Sequence, residues 1–132
     1  MKLITRDTDY AARALCLMAK NKGKVISVSA LVEKLHTPRP FLRKALQKLN
    51  QKGILKSYKG IGGGFQLAVK PEKIFITDLI KTFQGDFKFN ECVLKKDICP
   101  NKKSCSLKKK LDLIELYVVK ELKSVTIASL IK

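Results

Sequence analysis

Apolar residues recur at helical spacing in three segments of the first half of the chain. The first segment runs from Asp9 to Lys20, and Gly23 follows it as a helix-ending residue. Ser27 can cap a second predicted helix from Val28 to Leu35. A third predicted helix, from Pro38 to about Gln51, has its prolines in the first turn, where no helical hydrogen bond is lost. Its predicted inward side consists of Phe41, Leu42, Ala45, Leu46 and Leu49.

The pattern becomes that of short strands after the third helix. Ile54–Tyr58 and Phe65–Val69 have the composition of strands, and the glycine-rich segment Lys59–Gly64 joins them. Glycine permits positive φ and lets backbone N–H groups approach a phosphate closely. A nucleotide-binding loop is the alternative, but no Gly-Lys-Ser/Thr follows, and the next element is a strand rather than a helix. The sequence therefore predicts a β-hairpin wing directly after the third helix.

Three further helices and one segment without periodicity follow the hairpin. Thr77 is the predicted cap of a short helix that reaches Phe83 and ends at Gly85. Periodicity is absent from residue 86 to residue 106, and loops of this length inside a domain are usually functional or disordered. The longest predicted helix then runs from about Leu107 to Ser124, and residues 126–131 can form a last short helix.

The longest helix carries a narrow apolar seam. A seam of this width suits one partner helix. Packing within the same chain is the alternative, but the first 84 residues already supply a core, so we expect pairing with the same helix of a second chain. The seam consists of Leu107, Leu111, Ile114, Val118 and Leu122.

Together these elements predict a mainly α-helical fold with a small β-hairpin wing, that is, a winged helix-turn-helix with a long C-terminal dimerisation helix. We expect a DNA-binding domain over residues 1–84, a cysteine-rich segment over 85–106 and the dimerisation region over 107–132. No apolar run is long enough to cross a bilayer, and the first residues lack the apolar stretch of a signal peptide. The expectation is a cytoplasmic protein without membrane partners.

Charge makes double-stranded DNA the expected partner. The chain of 132 residues has 28 lysines and arginines against 11 acidic residues, a net charge of +17. Between Glu33 and Glu72 there are nine basic residues and no acidic one. Such a surface can neutralise phosphates and release counterions. An idle basic surface is the alternative, but these cations coincide with the predicted helix-turn-helix and wing.

The outer face of the third helix bears side chains that can read base edges. Arginine and glutamine make paired hydrogen bonds to guanine and adenine respectively, and the wing can contact the phosphate backbone. The candidate DNA-binding residues are Arg39, Arg43, Lys44, Gln47 and Lys48 on the helix and Lys59, Gly60, Gly62 and Gly63 on the wing.

Three of the four cysteines cluster in the segment without periodicity. Cys16 lies apart, inside the first predicted helix, and is interpreted as a small apolar core residue. In a reducing compartment, Cys92, Cys99 and Cys105 favour metal or redox chemistry over disulfides. Thiolates of this kind can hold an iron–sulfur cluster or zinc, or act as a thiol switch without metal.

In combination, these motifs resemble the Rrf2 family of winged-helix transcription regulators. The resemblance covers nearly the whole chain, from Met1-Lys2-Leu3 and Thr8-Asp9-Tyr10-Ala11 to Thr126-Ile127-Ala128. Its most specific part is the Gly60-Ile61-Gly62-Gly63-Gly64-Phe65 wing together with the spacing C-x6-C-x5-C ahead of a long helix. The resemblance implies a homodimeric regulator, not an enzyme, that binds a palindromic operator, and we expect a repressor.

The resemblance also implies a cluster and its ligands. In cluster-binding members three cysteines hold a [2Fe-2S] or [4Fe-4S] centre, which places the ligands at Cys92, Cys99 and Cys105. Some members add a histidine three residues further on, but this chain has Lys108 there, which cannot coordinate as imidazole does. Others use an aspartate of the partner's first helix, to which Asp9 corresponds. A favourable charge at a helix N-terminus is the other interpretation of Asp9.

The expected signal is iron supply, redox state or nitric oxide, read through the cluster. A zinc site or a thiol switch in the same DNA-binding regulator is the first alternative. A small iron–sulfur redox protein is less favoured, because an electron carrier has no use for a winged helix. A cationic protein that binds membranes or nucleic acid without sequence preference is a further alternative, which competition with unrelated DNA would distinguish.

Overall fold

The structure, a computed structural model, describes residues 3–21, 23–86 and 105–131. This part of the chain is mainly helical and has one two-stranded antiparallel hairpin, as predicted. Its elements in chain order are α1 (Arg6–Lys20), α2 (Val28–Leu35), α3 (Arg39–Gln51), β1 (Leu55–Tyr58), β2 (Gly64–Leu67), a 3-10 turn (Pro71–Lys73), α4 (Ile76–Gln84), α5 (Ser106–Lys123) and α6 (Ile127–Leu130).

Helix α1 lies at the centre of the core and contacts α3, α4 and α6. Its buried side is formed by Ala11, Ala14, Leu15 and Met18, all without solvent exposure. Two of these side chains are alanines, which let neighbouring helices approach closely. The position of α3 is therefore fixed largely by its packing against α1.

The hairpin is attached to the chain segment that follows α1. Ile26 N–H donates to the Phe65 carbonyl and Phe65 N–H donates to the Ile26 carbonyl, both at 2.9 Å. Gly64 lies at this crossing with φ 151°, and a Cβ there would overlap the backbone of Ile26. The base of the wing is thus tied to the winged-helix core by backbone hydrogen bonds that require glycine.

Helix α5 is held at its C-terminal end. Leu122 and Val125 pack against the core, and Ile127 is fully buried. Ile76 N–H donates to the Val125 carbonyl at 3.0 Å, and Ile127 N–H donates to the Ile74 carbonyl at 2.9 Å. Towards the N-terminal end of α5, most side chains are exposed.

Several details of the sequence-based expectation were wrong. Strand β2 spans Gly64–Leu67 rather than Phe65–Val69. Helix α1 begins at Arg6 rather than Asp9, because Thr5 caps it and its hydroxyl accepts the Thr8 N–H at 3.5 Å. Helix α4 is not capped by Thr77; its N-cap is Phe75, whose N–H donates to the Asp78 carboxylate at 3.3 Å. Phe41, expected to face inward, is 48% exposed.

The predicted cysteine-rich segment lies mostly outside the described residues. Its last residue, Ser106, already belongs to α5, and Cys105 is the N-cap of that helix. The division into three regions remains a prediction. Among the described helices, even the longest does not combine the length and the apolar character that crossing a membrane requires.

Candidate functional site

A cleft between α3 and the wing brings together the central residues of the predicted DNA-binding surface. Its volume is about 460 Å³. Arg43, Gln47 and Asn50 line it from α3, and the hairpin contributes Tyr58, Lys59, Gly60 and Gly63. All seven lie in the 34–71 interval that has no acidic residue, so the lining can carry positive charge but no negative charge.

The α3 side chains in this cleft are available for a ligand. Arg43 and Gln47 are both exposed. Neither has a hydrogen-bond or salt-bridge partner within the described part of the chain. A guanidinium and a carboxamide held side by side on a helix can each make paired hydrogen bonds to a base edge.

The wing tip is a tight turn built from glycines. Gly63 N–H donates to the Gly60 carbonyl at 3.0 Å, and Gly60 and Gly62 have φ of 87° and 77°. A Cβ on Gly63 would overlap the Tyr58 carbonyl. The tip is consequently narrow, and its backbone can approach a groove or a phosphate closely.

Two side chains brace the wing against the end of α1. The Tyr58 hydroxyl donates to Gln66 Oε1 at 3.0 Å, and Gln66 Nε2 donates to the Gly23 carbonyl at 2.7 Å. Together with the Ile26–Phe65 hydrogen bonds, these contacts hold the wing against the segment that follows α1, and α1 in turn packs against α3.

The other predicted DNA-binding residues lie outside the cleft. Arg39 donates from its guanidinium to the Ser29 hydroxyl at 2.8 Å and so joins α3 to α2. Lys44 is exposed on α3. The Lys48 ammonium lies 5.5 Å from the centroid of the Phe83 ring, a cation–π contact with α4. Gly62 belongs to the exposed tip.

Asn50, Ser57 and Tyr58 also line the cleft but were not among the predicted site residues. For Asn50 the signal was present, because it lies on the same side of the α3 helix as Arg39 and Arg43. For Ser57 and Tyr58 it was weak, since only the hairpin register places them beside α3.

The proposed metal ligands are only partly described. Cys92 and Cys99 lie outside the described residues. Cys105 Sγ accepts the Lys108 N–H at 3.4 Å at the start of α5, an arrangement that suits a metal-bound thiolate, whose sulfur also accepts hydrogen bonds. Asp9 Oδ2 accepts from Arg13 Nε at 2.8 Å, so one carboxylate oxygen is engaged and the other remains. In the described ranges, no three potential ligand side chains come close enough to hold a metal ion.

Cys16 fits its interpretation as a core residue. It is half-buried and packs against the hydrophobic core. Burial raises the pKa of its thiol, and the nearby Lys20 ammonium acts in the opposite direction. A thiol whose neutral form is favoured is a poor nucleophile and a poor metal ligand.

The predicted dimer seam divides between two environments. Leu122 packs against the core of its own chain, while Leu111 and Val118 are half-buried. The exposed apolar side chains of α5 are Leu107 and Ile114 of the seam together with Leu113, Leu116 and Tyr117, which lie outside it. The solvent-facing apolar surface of α5 is therefore broader than the predicted seam.

A family model described as Rrf2, iron-dependent transcriptional regulator, matches residues 4–132. The chain belongs to the Rrf2 family. The NsrR transcriptional regulator of Bacillus subtilis (strain 168) is 31% identical over 134 residues, covering 100% of this Rrf2 chain and 91% of the relative. An HTH-type transcriptional regulator of Aquifex aeolicus (strain VF5) is 38% identical over 90 residues, 68% of this chain. That match spans 62% of the Aquifex protein, less than two thirds of its length.

Solved structures confirm the winged-helix fold of this Rrf2 chain. T. potens IscR has a TM-score of 0.73 and 24% identity, with 98% of this chain and 85% of that chain covered. CymR, the global cysteine regulator of B. subtilis, has a TM-score of 0.75 and 23% identity, with 99% and 97% covered. The Rrf2 family consists of transcriptional regulators, which confirms the expectation of a regulator rather than an enzyme.

Proposed function

We propose that this Rrf2 regulator binds double-stranded DNA sequence-specifically, as a homodimer, and that its cysteine segment sets its affinity for a palindromic operator. The single observation that carries the DNA-binding part is the cleft in which Arg43 and Gln47 face the glycine turn of the wing. In that arrangement α3 enters the major groove, and the wing contacts the adjacent backbone or groove.

The chemistry of each side chain indicates whether it contacts base edges or phosphates. Arg43, Gln47 and Asn50 read base edges, because arginine and amides match base donor and acceptor patterns. Lys44, Lys48 and Lys59, with the N–H groups of the glycine turn, contact phosphates and supply affinity without sequence preference. Arg39 also faces this surface, with part of its guanidinium engaged by Ser29.

Dimerisation supplies the symmetry that a palindromic operator requires. The exposed apolar side chains of α5 would be covered by a second copy, which removes them from water. The two α3 helices must then match half-sites one helical turn apart, about 34–36 Å. The spacing of the α3 helices is therefore the quantity that a sensor has to control.

The cysteine segment is the proposed sensor. Cys92, Cys99 and Cys105 would hold a [2Fe-2S] or [4Fe-4S] cluster, with Asp9 of a partner subunit as the fourth ligand. When bound, the cluster supplies reactivity towards oxygen or nitric oxide and dependence on iron supply. Cys105 would keep its hydrogen bond from Lys108, and Asp9 would offer the metal the carboxylate oxygen that Arg13 does not engage. The description of the family as iron-dependent supports this assignment.

We further propose that the protein acts as a repressor in the cytoplasm.

The experiment is anaerobic isolation followed by visible absorption and iron and sulfide analysis. Operator sites would be selected from randomised duplexes, and affinity measured with and without unrelated competitor DNA. The proposal expects a coloured protein and specific affinity that changes after exposure to oxygen or nitric oxide. A colourless protein with stoichiometric zinc would replace the cluster by a zinc site. Equal affinity for all duplexes would overturn sequence-specific binding.

A further inference from the structure

One side chain at the end of α4 holds the beginning of α1. Gln84 Oε1 accepts the Thr5 N–H at 2.9 Å and the Thr8 hydroxyl at 2.8 Å, and Gln84 Nε2 donates to the Leu3 carbonyl at 3.3 Å. The partners are 76 to 81 positions apart in the chain. A single amide therefore joins two distant segments at three points, and we call this contact the Gln84 latch.

The latch contains a hydroxyl that has no access to water. Thr8 is fully buried, and its Oγ1 lies 3.1 Å from the Thr5 hydroxyl and 2.8 Å from Gln84 Oε1. If α1 shifts relative to α4, this hydroxyl loses its partner on α4 and cannot replace it with solvent, which is unfavourable. This buried contact therefore favours the observed position of α1 against α4.

Within one chain, the latch lies between the cysteine segment, which would hold that chain's cluster, and Asp9, which would ligate the cluster of the partner subunit. Gly85 ends α4 immediately after Gln84, with φ 80°, and the chain then continues to Cys92 and Cys99. On the other side, Asp9 follows Thr8 directly in α1. Helix α1 also packs against α3, the helix that lines the DNA cleft, so the latch has a direct route of contacts to the cleft.

We propose that Gln84 is a positioning residue that transmits the state of the cysteine segment to α3. The inference rests on the proposed function. With the cysteines held together, the last turn of α4 is fixed and Gln84 keeps the first turn of α1 in place. With the cysteines released, the latch opens, α1 shifts, and the α3 helices no longer match the half-site spacing.

Two variants break the latch from opposite sides, and two variants leave its main contacts intact. Gln84→Leu removes the acceptor and the donor, and Thr8→Val removes the buried hydroxyl at nearly constant shape. Gln84→Glu keeps the oxygen that accepts from Thr5 and Thr8. Thr82→Val is the matched control on the same helix, because the Thr82 hydroxyl donates only to the Asp78 carbonyl, within α4.

The readout is the ratio of operator dissociation constants for chelator-treated and iron–sulfide-reconstituted protein, with iron content measured in parallel. We expect a wild-type ratio that differs from one by about tenfold or more, within the usual range of allosteric coupling. Gln84→Leu and Thr8→Val should bring the ratio to within about threefold of one, with iron content and cluster-free affinity unchanged. A merely structural role would instead change the cluster-free affinity or the iron content. Gln84→Glu and Thr82→Val should keep the wild-type ratio.

A wild-type ratio in either latch-breaking variant overturns the inference and leaves the proposed function standing. A wild-type protein that binds no operator, or whose operator affinity does not depend on its cysteines, overturns the proposed function by itself.

Hydrogen exchange on unmutated protein covers the case in which the variants do not fold. Cluster removal should speed exchange of the Thr5 amide, which donates to Gln84, but not of the Ala30 amide, which donates to the Ser27 cap of α2. Unchanged exchange at Thr5 also overturns the inference.

Discussion

Arg43 occupies the middle of the α3 surface that faces the wing, and its guanidinium is free to bind a base. Replacing it with alanine should cost about 1–3 kcal/mol on the preferred operator and relax base choice at one position. Lys59→Ala is the control, since a phosphate contact should weaken all duplexes alike and lower the salt slope by roughly one. Affinities for the operator, its single-base variants and random DNA at several salt concentrations check this. Equal loss on specific and random DNA in Arg43→Ala would show that α3 is oriented differently.

Gly64 and Gly53 offer a matched pair for testing the base of the wing. Both glycines have positive φ. A Cβ added at Gly64 would overlap the Ile26 backbone, whereas a Cβ added at Gly53 would have no atom within 4 Å. Gly53→Ala should cost about 1–2 kcal/mol from the backbone alone. Gly64→Ala should cost about 2–4 kcal/mol, because overlap is added to strain. Denaturant unfolding measures both, and equal costs would mean that the contact with Ile26 is not tight.

Asp9 can be tested as a ligand against its role as a helix-terminal charge. Asp9→Ala should leave an iron–sulfur cluster that is lost faster in air, whereas Arg13→Ala, which removes only the ion-pair partner, should retain it. Both changes should alter stability by less than about 1 kcal/mol, because the pair is largely exposed. The rate of loss of visible absorption is the measurement. Identical rates in Asp9→Ala and the wild type would assign Asp9 to the helix N-terminus alone.

Sequence periodicity reveals residues whose role depends on near neighbours in the chain. Arg43 and Gln47 were found because helical spacing alone puts them on one face. Gln84 was not found from the sequence, because its hydrogen-bond partners are about 80 positions away in the chain. A glutamine near the end of a short helix also has no distinguishing sequence pattern. Phe41 was also misplaced, because helical spacing gives its side of α3 but not which neighbours cover it, and its side chain is 48% exposed.

At the scale of elements, every predicted helix and both strands exist, but several begin at other residues. The larger inaccuracies in the helices lie at their starts, where one side chain decides, whereas β2 ends at Leu67 rather than at the expected Val69. Thr5 moves the start of α1 earlier, and Asp78, reaching back to the Phe75 N–H, replaces the expected Thr77 cap. Pairing of the hairpin with Ile26 could not be predicted, because a single bridging residue has no strand periodicity.

Helix α5 gives a prediction that separates association from folding. Tyr117 is 65% exposed, so Tyr117→Glu should change the stability of one chain by less than about 0.5 kcal/mol. It should weaken dimerisation at least about tenfold, since it places a charge on the covered apolar face. Leu122→Ala should instead destabilise the fold by about 1–2 kcal/mol, less than for a fully buried leucine. Sedimentation and thermal unfolding measure the two effects, and an unchanged dimer in Tyr117→Glu would place the interface elsewhere.

At the scale of the whole molecule, the proposed sensor requires the cysteine segment and the DNA cleft to be coupled across the core. A variant with serine at 92, 99 and 105 should bind no iron and should have one operator affinity, equal to that of chelator-treated wild type and insensitive to nitric oxide. The matched control is Cys16→Ser, which should retain iron and the response, because Cys16 packs against the core. Iron analysis and operator titration check both. A response that persists in the triple-serine variant would place the sensor outside these residues.

The attachment of α5 at one end makes it a lever arm. The 18 residues of α5 give a rod of about 27 Å at 1.5 Å per residue. A tilt of about 10° where Leu122 and Ile127 pack against the core would swing the opposite tip by roughly 5 Å, comparable to the rise of one helical turn. That tip is capped by the sulfur of Cys105. A small rotation of α5 at the core would therefore produce a large displacement of the sulfur, and a displacement of the sulfur would rotate α5 at the core.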